Sequence, residues 1–249
     1  MLRSVRNILG YELLAHDGAF GRCSDFLFDD RDWVIRYMVA DTGKWLPGRR
    51  VLISPIALEE ADWDTKQLEI DLTKDQIESA PPLAKDEPVS QQFEMDYYAH
   101  YGWPYYWAGA GAWGPFALPT DLRRAKSAPE SGASSGRGDP HLRSSREVQG
   151  YSIAASDRDI GHVEDLIVDD REWIIRYVVV DTRNWLPGRQ VLIAPIWFSS
   201  IVWSQRKLET DLSAEVVKDS PEYDPSAPVN RKYERRLYDF YGRPVYWEQ

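Results

Sequence analysis

The 249 residues are enough for two compact modules with a connector. Apolar residues make up 43% of the chain, with 11 Trp and 14 Tyr among the aromatics, and this excludes an intrinsically disordered protein. A formal net charge of -10 repels a phosphate backbone, so nucleic acid is not an expected partner, and the single Cys23 excludes both an intrachain disulfide framework and a multi-cysteine zinc site.

Short β-prone runs separated by turn signals fill the first part of the chain. Tyr11 to Ala15 leads into Asp17-Gly18, a hairpin-type turn. Gly21 to Asp29 is a second run, ending in the Asp29-Asp30-Arg31-Asp32 turn. Trp33 to Asp41 follows as the strongest expected strand, apolar on both faces and therefore covered on both sides. Lys44 to Gly48 must be a loop; Arg50 to Ile53 resumes as a strand stopped by Pro55, and Leu58 to Trp63 with Gln67 to Leu72 completes a hairpin. Six short strands followed by a helical turn at Thr73 to Ser79 suggest a small barrel over residues 1–80. Residues 81–107 then predict an amphipathic helix within Pro88 to Tyr101, carrying Phe93, Tyr97 and Tyr101, and an aromatic tail ending at Trp107. Residues 108–141, rich in Gly, Ser, Ala and Pro, read as a flexible linker in which only Trp113 and Phe116 invite docking.

The rest of the chain repeats the beginning. A shift of about 140 residues aligns Leu2 to Trp107 with Leu142 to Trp247 without a gap, and about 45 of roughly 106 pairs are identical. A second barrel is therefore expected over 142–220, and a second helix and tail over 221–249, with Tyr233, Leu237, Tyr241 and Trp247 in the matching positions.

These residues resemble the PRC-barrel domains, similar to the cytoplasmic part of the photosynthetic reaction-centre H subunit and to the C-terminal domain of a ribosome maturation factor. The resemblance rests on Gly-Tyr-x-Leu at Gly10 to Leu13, Gly-x-x-x-Asp at Gly21 to Asp25, the Trp33 to Asp41 strand and the Val51 to Ile56 run. These recur from Gly150, Gly161, Trp173 and Val191. It implies an all-β fold of two tandem six-stranded PRC-type barrels, each with its helix and tail, and a non-enzymatic module that docks on other proteins or stabilises an assembly. The membrane helix of the H subunit and the N-terminal domain of the ribosome factor have no counterpart in this sequence.

Candidate sites follow from the repeat. Trp45 with Arg49, and Trp185 with Arg189, occupy matching Trp-Leu-Pro-Gly-Arg loops and are candidate protein-binding anchors, set against the plainer reading that each Trp lids its own barrel. Arg36 and Arg176 interrupt apolar strands and require carboxylate partners among Asp29, Asp41, Asp169 and Asp181; the pairs Arg36–Asp41 and Arg176–Asp181 are expected. Phe93, Tyr97, Tyr101, Trp107, Tyr233, Leu237, Tyr241 and Trp247 are expected to pack between the barrels, making one chain the equivalent of a homodimer and the whole monomeric. His16, His100, His141 and His162 share no spacing, so no metal is expected, and no nucleophile elbow or phosphate loop is present. No cofactor and no catalytic group are expected.

The expected function is thus binding or scaffolding of an unidentified protein partner. The alternative is a sensor or carrier holding a flat apolar ligand, a quinone or pigment, between the barrels and linked to reaction-centre-like electron transport. With Arg3, Arg6, Glu12 and Asp17 near its start the sequence has no signal-peptide core, and no stretch reaches the length of a membrane span; a soluble, cytoplasmic protein is expected.

Overall fold

The computed structural model describes residues 1–85, 87–125, 141–182 and 189–248. The chain divides into two compact units, and neither unit is a contiguous segment. The first holds Asn7–Ser144 and Arg171–Ile174; the second holds Met1–Arg6, Ser145–Asp170 and Ile175–Gln249.

The chain begins with β1 (Leu2–Ser4) and a single helical turn, α1 (Val5–Ile8). The sheet of the first unit is then built from β2 (Glu12–Ala15), β3 (Gly18–Asp29), β4 (Ile35–Asp41), β5 (Val51–Ile53), β6 (Leu58–Asp62) and β7 (Gln67–Ile70). Their order is β5-β4-β3-β2-β7-β6, antiparallel except for the parallel pair β2 and β7. Alternation explains the burial: Leu13 and Ala15 face inward along β2, and Phe26, Phe28, Ile35, Tyr37 and Ile53 fill the core. The strong strand starts at Ile35 and not at Trp33, which adopts a left-handed φ of 56° at the end of the Asp-rich turn. Its ring stacks on Phe28 at 5.1 Å, which anchors that unusual backbone.

After α2 (Lys74–Glu78), closed by the Thr73–Gln76 capping box, comes α3 (Gln91–Tyr101). Ser90 Oγ accepts from Phe93 N, and Gly102, at φ 66°, ends the helix in the left-handed conformation. Residues 108–125, expected as linker, belong instead to the first unit. Trp113 is fully buried and donates from Nε1 to the Glu172 carbonyl at 2.7 Å. Beyond it, α4 (Pro119–Arg124) lies on the 3-10 turn Pro55–Ala57, with Leu122 and Ile56 both out of solvent. Arg123 adds ion pairs of 2.8 Å to Glu59 and to Asp71. A composition poor in apolar residues hid this docking, which rests on Trp113, Pro119 and Leu122, all buried.

The second unit repeats the plan with α5 (Ser145–Val148), β9 (Ser152–Ala154), β10 (Asp159–Asp169), β11 (Ile175–Asp181), β12 (Gln190–Ile193), β13 (Phe198–Val202), β14 (Lys207–Thr210), α6 (Ala214–Asp219) and α7 (Arg231–Tyr241). Its sheet order is β12-β11-β10-β9-β14-β13.

Each sheet has a seventh strand, and that strand comes from the other copy. β1 pairs antiparallel with β10, matching Leu2, Arg3 and Ser4 to Asp169, Val168 and Ile167. β8 (Leu142–Ser144) pairs with β3, matching Leu142, Arg143 and Ser144 to Asp29, Phe28 and Leu27. The exchange is reciprocal and covers edges that would otherwise expose unpaired backbone groups.

Candidate functional site

In both copies a polar cluster fixes the helix and tail to the strand that carries the repeated arginine, β4 in the first and β11 in the second. Tyr37 donates to Glu94 Oε1 at 2.8 Å, and Tyr106, from the tail, reaches both oxygens of the same carboxylate at 3.3 Å. The Arg36 guanidinium stacks on the Tyr106 ring at 3.9 Å, its own side chain 1% exposed. The second copy keeps every member: Tyr177 and Tyr246 donate to Glu234 Oε1 at 2.8 and 2.9 Å, and Arg176 lies over Tyr246 at 4.1 Å. Burial pushes the Glu94 carboxyl up to about 7, against the opposing pull of Tyr37 and Arg36. The cluster ties secondary-structure elements together and leaves its carboxylate shielded from solvent, as a structural clamp does.

The expected pairing of Arg36 with Asp41 does not form. Five residues apart on one strand, the two side chains leave from opposite faces, and Arg36 turns instead to Asp29 of β3 at 3.6 Å. Asp41 is exposed and accepts from Gly43 N. In the second copy Arg176 lies over Tyr246, and Asp181 is buried 3.8 Å from His162.

Of the loop anchors, Trp45 packs edge-on against Phe20 of its own unit at 6.1 Å and is half-buried. Arg49 donates to the carbonyls of Glu78 and Ala80 at 2.8 and 2.9 Å, satisfying orphan acceptors at the end of α2. Arg189 bonds the Ser220 carbonyl in the corresponding place after α6. Trp185 lies outside the described residues. These contacts favour the lid reading for Trp45 and give both arginines a capping role.

The helix and tail aromatics expected between the barrels make their contacts at home. Tyr97 OH donates to the Leu52 carbonyl at 3.0 Å and accepts from Ser54 N, while Phe93, Tyr101 and Trp103 ring it. Trp107 stacks on Tyr105 at 4.6 Å. In the second unit Tyr233 OH donates to the Pro221 carbonyl, Leu237 is fully buried, Tyr241 lies against Trp197, and Trp247 against Tyr238.

One grouping was not visible in the spacing of histidines. His162, Glu164 and Asp181 of the second unit converge, with their ligand atoms within 4.8 Å of one another. The β10–β11 register sets His162 opposite Asp181, and a bulge between Val163 and Asp165 re-aims Glu164 toward them. Gly161 permits the approach, since a Cβ there would lie 2.0 Å from the Asp181 carbonyl oxygen. Glu164 and Asp181 also line an open cleft of about 600 Å³ with Arg189, Glu222, Tyr223 and Asp224.

Residues 140–211 match the family model of the PRC-barrel domain. No curated protein matches the chain. The matched segment includes Leu142–Ser144, the strand given to the first unit's sheet. No helix among the described residues is long and apolar enough to cross a membrane.

Proposed function

We propose that the chain is a non-enzymatic protein-binding or assembly protein built from two PRC-barrel modules, each sheet curling into a small barrel. The reciprocal exchange of β1 and β8 carries this reading. It commits both copies to one assembly within the chain, in the manner of a domain-swapped homodimer. The identity of about 45 of roughly 106 aligned pairs between the copies extends the module from the matched segment to the first copy. The match of residues 140–211 to the PRC-barrel family model supports interaction as the activity, and the repeated polar cluster and the Arg49 cap serve the fold.

The test is affinity capture from native extract with the full chain, followed by measurement of the affinity of the captured partner in purified form. A specific partner with a saturable Kd is expected. Turnover in a broad hydrolase and transferase screen would overturn the non-enzymatic part, and failure of every purified candidate to bind would overturn the rest.

A further inference from the structure

We propose that His162, Glu164 and Asp181 form a binding site for a divalent first-row transition cation, with Zn²⁺ the best match. An imidazole nitrogen with two carboxylate oxygens is a donor set for such a metal and not for Mg²⁺ or Ca²⁺, which take oxygen alone. His162 Nε2 stands 3.9 Å from Glu164 Oε2 and 3.8 Å from Asp181 Oδ2. Both separations are too long for hydrogen bonds. Ligand bonds of about 2.1 Å in tetrahedral geometry hold their donor atoms about 3.4 Å apart, so each histidine separation closes by a few tenths of an ångström, and the two carboxylates, within 4.8 Å of each other, close by rotation of the partly exposed Glu164 side chain.

The surroundings suit that use. Arg6 Nη1 holds Glu164 Oε1 at 2.6 Å and its Nη2 holds the Glu164 carbonyl at 2.6 Å, orienting the carboxylate so that its other oxygen is the one facing His162. This is the outer-shell support that metal-ligating carboxylates commonly have. Asp181 is 1% exposed, whereas His162 and Glu164 are partly exposed. The cleft that Glu164 and Asp181 border carries Glu222 and Asp224 against the single cation Arg189, a balance that favours a cation, and its opening leaves room for a fourth, exchangeable ligand.

The first copy provides an internal contrast. Its corresponding residues are Arg22, Ser24 and Asp41, so the same bulge presents a fixed positive charge and a hydroxyl where the second copy presents an imidazole and a carboxylate. The site belongs to the second unit alone, and it includes support from Arg6 on the exchanged N-terminal segment.

The experiment is calorimetric titration of the metal-stripped full chain with Zn²⁺, with Mg²⁺ as the contrast and Co²⁺ visible absorption reporting coordination. One equivalent of Zn²⁺ should bind, Mg²⁺ should not compete, and His162→Ala and Asp181→Asn should each weaken binding at least about tenfold. His16→Ala, which removes another histidine–carboxylate contact 2.9 Å long, should leave the affinity unchanged. His162→Gln, at a partly exposed position, decides the matter if Asp181→Asn does not fold. Absence of saturable Zn²⁺ binding, indifference to both His162 variants, or equal loss in His16→Ala would each overturn the site.

Discussion

Gly21 and Gly161 occupy equivalent places where the long strand passes against its neighbour. A Cβ would sit 2.5 Å from the Asp41 carbonyl oxygen at Gly21, and 2.0 Å from that of Asp181 at Gly161, where φ is also 138°. Neither obstacle can rotate away, because both are backbone. Gly161→Ala should therefore cost about 2–4 kcal/mol and Gly21→Ala somewhat less, read as a lowered urea midpoint. Glu94 gives a second handle at this scale. Its folded pKa of about 7 lies above the ordinary 4.5, so between those values the folded state keeps a proton that the unfolded state has released. Stability must then fall as pH rises through that window, by on the order of 1–3 kcal/mol. Glu94→Gln should remove this slope from urea unfolding measured at successive pH values; an unaltered slope would contradict the assignment. The repeated residues of the clamp were present in the sequence as identities between the copies. The grouping of His162 was not, because strand register brings together residues 162 and 181, which no local motif connects.

At the level of elements, alternation and turn chemistry located the strands, and the stripe of Phe93, Tyr97 and Tyr101 located α3. The exchange of β1 and β8 was illegible for a specific reason. Both read Leu-Arg-Ser, and their anchors are equally alike: Arg3 meets Asp170 and Arg143 meets Asp30, each at 3.1 Å, while Ser4 and Ser144 meet Asp165 and Asp25. Pairing at home and pairing across copies present the same side chains, so chain geometry decides between them and residue preference cannot. Deletion of residues 1–6 should uncover the backbone of β10 and speed amide hydrogen exchange at Ile167 and Val168, with protection in β3 retained. A matched pair of isoleucines tests the docking of α4. Ile56 is fully buried beside it, whereas Ile196, its counterpart, is 73% exposed. Ile56→Ala should cost about 2–5 kcal/mol, and Ile196→Ala should stay within about 0.5 kcal/mol, by thermal or urea melts.

For the whole molecule, each unit needs strands from both ends of the repeat. A protease site placed within residues 126–140 and cleaved in the native state should therefore yield two fragments that co-elute on gel filtration and part only in denaturant. Fragments that separate in native buffer would show that the exchanged strands do not hold the units' parts together.

The reciprocal pairing also constrains synthesis. A nascent chain that has delivered β2 to β7 still lacks Leu142–Ser144 and Arg171–Ile174, so its first sheet must wait for the ribosome to translate well into the second copy. Leu2, pairing with Asp169, waits nearly as long, and the loop it closes is among the widest the chain can make. Translation pauses in the second copy would then prolong the lifetime of half-finished sheets, and chaperone demand should peak there.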